Sequence, residues 1–356
     1  VLAAVVGGLA VWVTGRGTGA PVKETARRDA GNSTTSRKNS LLPKEIRGIH
    51  VSSPEASLPG KLGEFAALKD EGLNTIELDI KDENGTVAFS SPEVPLASEI
   101  NAAGNYYDPS TVAKELHADG IYLIGRVVVF EDPVLADKRP DLAIQRSDGS
   151  PWLDSSGIGW TNEYNHDVWK YNVSIAKVAA KAGFDEIQFD YARFPSDAES
   201  AVWPGQNGSK AAAINRFLRY AVAQLKPLGV RVSVDVFGLA ATHELGVGQE
   251  PAQMAKIVDE ISPMVYPSHF GAWQYGLPNP QAAPGMTVIY ALEDFSAAMR
   301  GTHADLLPWI QDFSMGRKFT LSDIQDEILS VRRSATSGYL LWNPTCEYTP
   351  GALKPS

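Results

Sequence analysis

Gly183-Phe-Asp-Glu-Ile-Gln-Phe-Asp-Tyr-Ala-Arg-Phe-Pro195 is the stretch on which the fold turns. From Glu186 to Tyr191 the residues alternate, with Ile187, Phe189 and Tyr191 on one face and Glu186, Gln188 and Asp190 on the other. That period of two is the signature of a strand. Gly183 closes a helical run over 167–182 at the left-handed position that glycine fills without strain. Pro195 stiffens the loop that follows. The same unit of helix, glycine and strand recurs on both sides, with Gly72, Gly120 and Gly229 each just past a helical stretch and just before a strand.

Working outward, the sequence predicts strands near 46–53, 75–82, 122–130, 186–191, 230–237, 262–267, 306–313 and 338–343. It predicts helices over 61–71, 109–119, 167–182, 210–225, 251–257 and 321–333. A further helix is expected at 292–299, after a connection interrupted by Pro278, Pro280 and Pro284. Strands alternating with helices specify an α/β fold with a parallel sheet. Eight repeats in about 300 residues fit a single-domain (β/α)8 TIM barrel; a doubly wound open sheet is the rival. The strand chemistry favours the barrel, because a parallel sheet covered on both faces needs strands that are apolar throughout. Here Ile76, Leu78 and Ile80 alternate with Glu77, Asp79 and Lys81, and Val232, Val234 and Val236 with Arg231, Ser233 and Asp235. One set packs under helices. The other points into the barrel, where charges are tolerated only when paired with one another or with a ligand.

The 356 residues are 44% hydrophobic and 21% charged, which excludes a wholly disordered chain. A net charge of −10 repels a phosphate backbone, so no nucleic-acid partner is expected. The lone Cys346 excludes an intrachain disulfide and a cysteine-based zinc cluster, and no cofactor is expected. Residues 1–13 read VLAAVVGGLAVWV, short of the ~20 apolar residues a spanning helix needs. The expected organisation is a truncated signal peptide or membrane anchor at 1–15, a disordered linker at 16–45, the barrel at 46–345 and a C-terminal tail at 346–356. That implies an exported protein, extracellular or attached to the cell envelope, with membrane attachment through the apolar segment. Gly15-Arg-Gly-Thr-Gly-Ala20 matches a dinucleotide-binding pattern, but Pro21 and the polar residues after it do not open the helix that the pattern requires.

Barrel enzymes carry their chemistry at the carboxyl ends of the strands. Here those ends supply His50, Asp79, Lys81, Arg126, Asp190, Arg193, Asp235, Tyr266, His269, Gln311, Asp312 and Trp342. An internal salt-bridge network accounts for Asp79, Lys81, Glu186 and Arg231 without catalysis. Asp190 and Asp235 end neighbouring strands and are expected to face one cleft. Two carboxyls of unlike pKa are the minimum for glycoside hydrolysis, one protonating the leaving oxygen while the other attacks the sugar carbon or activates water. Arg193 is close enough in sequence to pair with the Asp190 carboxylate. Asp312 is a third acid able to take either role. Asp190, Asp235 and Asp312 are thus the catalytic candidates, and the other nine strand-end residues are assigned to substrate. Trp152, Trp160, Trp203 and Trp273 fall in loops, where flat rings suit pyranose faces. The chain has no GxSxG, P-loop or HExxH motif, and His50-Val51-Ser52 stands where an amidohydrolase would carry His-x-His, so no metal ligands are assigned.

Ile46-Arg-Gly-Ile-His-Val-Ser52, Phe184-Asp-Glu-Ile-Gln-Phe-Asp-Tyr-Ala-Arg-Phe-Pro-Ser196, Asp235-Val-Phe-Gly238, Met264-Val-Tyr-Pro-Ser-His-Phe270 and Gln311-Asp-Phe313 together resemble the bacterial putative glycosyl hydrolase domain family, a group placed with the TIM-barrel glycoside hydrolases. The resemblance spans about residues 46–345. It implies a (β/α)8 barrel acting on a polysaccharide, often in exported or wall-associated bacterial proteins. A looser similarity to alpha-amylase-like and alpha-galactosidase-like barrels implies Asp190 as the nucleophile. Those barrels carry Arg or Lys two residues before the nucleophile, where this chain has Gln188, and Arg193 would substitute from the other side. The expected activity is cleavage of glycosidic bonds in an extracellular or cell-envelope polysaccharide. The alternatives are a catalytically lapsed barrel that binds cell-wall glycan and a metal-dependent polysaccharide deacetylase.

Overall fold

The computed structural model describes residues 42–198 and 200–354. The expected anchor at 1–15 and nearly all of the expected linker lie outside the described residues.

The strands are β1 (Ile46–Val51), β2 (Thr75–Lys81), β3 (Tyr122–Val128), β4 (Glu186–Asp190), β5 (Arg231–Phe237), β6 (Glu260–Met264), β7 (Asp305–Leu306), β8 (Trp309–Gln311) and β9 (Gly338–Trp342). Each pairs in parallel with its neighbours, and the β5–β6 pairing closes the sheet. β7 and β8 are two pieces of one barrel strand, interrupted at Leu307-Pro308, so the closed sheet is the eight-stranded parallel barrel of a (β/α)8 fold. The connections hold α1 (Lys61–Ala67), α2 (Pro109–Ala118), α3 (His166–Ala182), α4 (Lys210–Leu225), α5 (Pro251–Met254), α6 (Pro284–Ala298) and α7 (Leu321–Arg333). β9 is followed by turns through Lys354.

Local chemistry explains most of these boundaries. Gly72, Gly120, Gly183 and Gly229 all take positive φ, as a left-handed helix stop requires. Thr320 and Asp323 form a reciprocal capping box at the start of α7. α6 begins at Pro284, earlier than expected, because proline costs nothing in a first turn whose N–H groups lack intrahelical partners. β6 begins at Glu260 rather than at Ser262. Its acidic start reads as a loop, but Glu260 is buried in the barrel base, where Arg231 lies 3.6 Å away.

Two layers of side chains hold the barrel. The outward-facing residues pack under the helices, as where Phe189 of β4 and Phe130 meet Phe217 of α4 at 5.2 and 5.3 Å. Phe217 is fully buried, so its truncation to Ala would cost about 3–5 kcal/mol. The inward-facing residues form a smaller apolar cluster that includes Ile46, Tyr122, Ile124, Leu307, Trp309 and Leu340. Polar groups fill the rest of the interior. At the base Arg231 reaches Glu186 at 3.4 Å and Asp305 at 2.8 Å. Above them Gln188 Nε2 donates across the barrel to Ser262 Oγ at 2.8 Å.

The expected network of Asp79, Lys81, Glu186 and Arg231 is therefore not one network. Only Glu186 and Arg231 pair. Lys81 is fully buried against Asp132 at 2.8 Å, and Asp79 meets Arg126 at 2.7 Å. The segment after β9 is part of the folded body, with Cys346 and Leu353 buried and the Tyr348 hydroxyl donating to the His50 carbonyl at 2.5 Å.

Candidate active site

At the carboxyl ends of the strands lies a cleft of about 410 Å³, lined by Asp190, Asp235, Arg126, Arg193, Tyr266, His269, Trp309 and Trp342 among others. Gly238, just past β5, belongs to the same wall, and a Cβ there would lie 2.4 Å from the Met264 carbonyl oxygen. Only glycine lets the β5 and β6 ends approach this closely.

Asp190 is the last residue of β4, and three donors converge on it. Arg126 gives its Nε at 3.0 Å and Nη2 at 2.7 Å to Oδ2, and the Tyr191 N–H reaches Oδ1 at 2.6 Å. Tyr191 takes a φ of 49°, a left-handed conformation that costs a non-glycine residue about 1 kcal/mol or more. The turn aims its N–H back at the carboxylate. Arg126, on β3, also donates Nη1 to Asp79 at 2.7 Å and to Glu83 at 3.4 Å, and stacks 5.3 Å from the Trp342 ring. The cation beside Asp190 is thus Arg126 and not the expected Arg193. Arg193 instead lies over the rings of Trp160, Tyr191 and Phe237 at 4.7–4.8 Å.

Asp235 projects from β5 one residue beyond the Phe189–Val234 register pair, the position that Asp190 holds on β4. Parallel neighbours of this kind lie ~4.8 Å apart, so both carboxyls enter the cleft from adjacent strands. Asp235 is buried, and its Oδ1 accepts the Trp309 indole N–H at 2.7 Å. Burial pushes its pKa well above the ordinary value of an Asp carboxyl, and the charges of Asp190 and Glu77 push the same way.

Below them His50 Nδ1 lies 2.5 Å from Glu77 Oε2, its Nε2 lies 3.7 Å from Asp79, and its ring packs 4.3 Å from Trp342. Burial opposes the imidazolium, but Asp79 and Glu77 outweigh it and the His50 pKa is raised. One ligand atom from each of His50, Glu77 and Asp79 lies within 4.8 Å of the others, close enough to hold a metal. The Arg126 guanidinium already neutralises Asp79 there, so the donors make a weak fit to a dication.

Residues 48–348 match the putative glycosyl hydrolase domain family, which is most of the described chain. The chain belongs to that family. No curated protein sequence matches it. Among solved structures it resembles the PgaB (BpsB) glycoside hydrolase domain of Bordetella bronchiseptica, with 15% identity and a TM-score of 0.61 over 85% of this chain and 95% of that one. It also resembles the glycoside hydrolase domain of PelA from Pseudomonas aeruginosa, with 11% identity and a TM-score of 0.51 over 86% and 97%. The Bacillus cereus spore cortex-lytic enzyme SleL gives 12% identity and a TM-score of 0.51 over 87% and 73%. At such identities the likeness is one of fold.

Within this glycosyl hydrolase family member, Asp190, Asp235, Arg126, Arg193, Tyr266, His269 and Trp342 come together in the cleft, with His50 and Asp79 directly beneath it. Three expected site residues do not. The register of β2 slips between Asp79 and Lys81, so Lys81 leaves the interior face. Its ammonium donates to the Val128 carbonyl at 2.6 Å and faces the Tyr171 ring of α3. Gln311 spends its side chain on the backbone of Ser268 and Phe313. Asp312 is tied to Thr349, whose N–H and hydroxyl reach its two oxygens at 2.9 and 2.6 Å, and burial raises its pKa to about 6. Of the loop tryptophans, Trp160 flanks Arg193, Trp152 is buried in the core, Trp203 binds Glu163 and Trp273 is 70% exposed.

Two groups escaped sequence reasoning. Trp309 reads as an apolar strand residue, yet it is the donor to Asp235. Glu131 follows the apolar run Val127–Phe130 at the end of the third barrel strand, and that placement was the available signal. Burial raises its pKa to about 7 against the opposing pull of Arg193.

Proposed function

We propose that the domain is a glycoside hydrolase in which Asp190 and Asp235 are the catalytic pair. The observation that carries this is the unlike setting of two carboxyls in one cleft. Asp190 accepts two guanidinium N–H groups and a backbone N–H, whereas the Asp235 carboxyl is buried, accepts only the Trp309 indole N–H among the described residues, and has its pKa raised by that burial. In this reading Asp235 gives a proton to the departing glycosidic oxygen, its Oδ1 being fixed by Trp309. As the glycosidic C–O bond breaks, Asp190 bonds the anomeric carbon or stabilises positive charge there; Asp235, now a carboxylate, then takes a proton from the water whose oxygen bonds that carbon, and Asp190 is released as a free carboxylate. Trp342 and Tyr266 offer ring faces to the sugar. Fold likeness to the PgaB and PelA glycoside hydrolase domains and to a spore cortex-lytic enzyme supports a polysaccharide substrate. The apolar run at 1–13 supports placing that substrate outside the cytoplasm, in or near the cell envelope. Among the described residues no helix is long and apolar enough to cross a membrane.

The test is release of reducing ends from a panel of bacterial polysaccharides by the wild-type chain and by Asp190→Asn. The variant is expected to lose about 10³-fold or more in turnover with its fold intact. Near-wild-type release by Asp190→Asn would remove Asp190 from the reaction. Binding of glycan with no release from any member of the panel would favour a lapsed, glycan-binding barrel.

A further inference from the structure

Three cations set into this barrel are matched to acids. Arg126 has Asp79 and Asp190 at 2.7 Å, Lys81 has Asp132 at 2.8 Å, and Arg231 has Asp305 at 2.8 Å. Arg193 lines the cleft, yet no carboxylate among the described residues lies within ion-pair distance of it. The acids that face it are Glu131, Asp190 and Glu163. Asp190 is engaged by Arg126, Glu163 accepts the Trp203 indole N–H at 2.8 Å, and Glu131 titrates near neutrality. The guanidinium is nonetheless held in place. Trp160, Tyr191 and Phe237 pack around it at 4.7–4.8 Å, and Nη1 donates to the Phe194 carbonyl at 3.2 Å. A guanidinium offers five N–H donors in a planar fork suited to a carboxylate. Three rings fix that plane and leave most of its donors without an anion, at the rim of a cleft that already contains the two catalytic carboxyls.

We propose that Arg193 receives a carboxylate carried by the bound sugar, so that the substrate is an acidic glycan. This rests on the glycoside hydrolase reading and names the substrate class within it. Hydroxyls of a neutral sugar satisfy N–H donors but leave the charge unmatched, and the cost of a half-buried unpaired charge falls away when a carboxylate arrives. The carboxylate belongs either to the ring, as in a uronic acid, or to an ether-linked substituent on an amino sugar. Both present the same fork-shaped acceptor.

The experiment measures binding to the wild-type chain by calorimetry, with reducing ends assayed in the same samples. The probes are uronic-acid oligosaccharides, lactyl-ether amino-sugar oligosaccharides, and the carboxyl-reduced form of each. We expect one acidic series to bind about tenfold or more tighter than its reduced twin, and the series that does so identifies where the carboxylate sits. Arg193→Gln is expected to erase the difference, and Arg193→Lys to restore part of it because charge returns without the fork. Thermal melts of both variants report folding. Equal affinity for acidic and reduced sugars, or binding of neither acidic series, overturns the proposal, and the wild-type comparison does so even if the variants do not fold. Release of ends from a neutral polysaccharide without any acidic preference would leave the hydrolase reading standing and this one refuted. An acidic preference without release from any substrate would do the reverse.

Discussion

Asp235→Asn separates the two properties assigned to that residue, its proton and its place. The substitution is isosteric, and Asn Oδ1 still accepts the Trp309 N–H that now reaches Asp235 at 2.7 Å. Because burial raises the folded-state pKa well above the ordinary value, the sign of the linkage is fixed. A carboxyl with a raised folded pKa lends its stability below the unfolded pKa of ~3.9 and loses it as pH rises to the folded pKa. The asparagine has no proton to lose. The variant should therefore gain on the wild type by up to about 1.4 kcal/mol per pH unit above pH ~4, levelling off once the folded carboxyl ionises. Denaturant unfolding of both proteins at intervals from pH 4 to 8 measures that difference directly. Turnover should meanwhile fall by about 10²–10⁴, the worth of a general acid. Parallel stability curves would refute the argument, because they would mean that Asp235 carries no more protons in the folded chain than in the unfolded one. A stability gain with unchanged turnover would keep the buried acid and remove it from catalysis.

Lys81→Met leaves Asp132 buried without its cation and should destabilise by about 3–5 kcal/mol; KM for any substrate found should not move, and a raised KM with normal stability would place Lys81 in the cleft after all. Asp312→Asn weakens the bonds to Thr349 but removes a buried carboxyl whose folded pKa is raised to about 6, so its stability relative to wild type should rise as pH goes from ~4 to ~6 in denaturant unfolding, with turnover within about twofold of wild type if Asp312 has no part in the chemistry; a large loss of turnover would return it to the catalytic set.

Much of the barrel was legible because period-two alternation and glycine helix stops are local. Glu186, Gln188 and Asp190 had to share a face, and the glycine at 183 had to end a helix, whatever surrounded them. The same rule misplaced Lys81. Alternation sets it beside Asp79, but the slip in β2 register sends it out to Asp132 and α3, and a slip depends on how β3 pairs, which no local pattern encodes. Arg193 was expected at Asp190 because it is three residues away in sequence. Arg126, 64 residues away, takes that place because β3 and β4 are neighbours with Arg126 opposite Gln188. Asp312 looked available at a strand end until the chain beyond β9 folded back and put Thr349 on it.

Lys81 apart, the sequence by itself determined which alternating strand residues share a face, where helices stop, and that Asp190 and Asp235 lie on successive strands. These follow from backbone geometry and side-chain period, which act over a few residues. Which cation meets which acid was decided only in three dimensions. A guanidinium reaches across strands to whatever carboxylate lies nearest, and burial rather than sequence context raises the Asp235 pKa. Strand pairing and desolvation belong to the closed barrel, and with them came the one cation in the cleft without a carboxylate among the described residues.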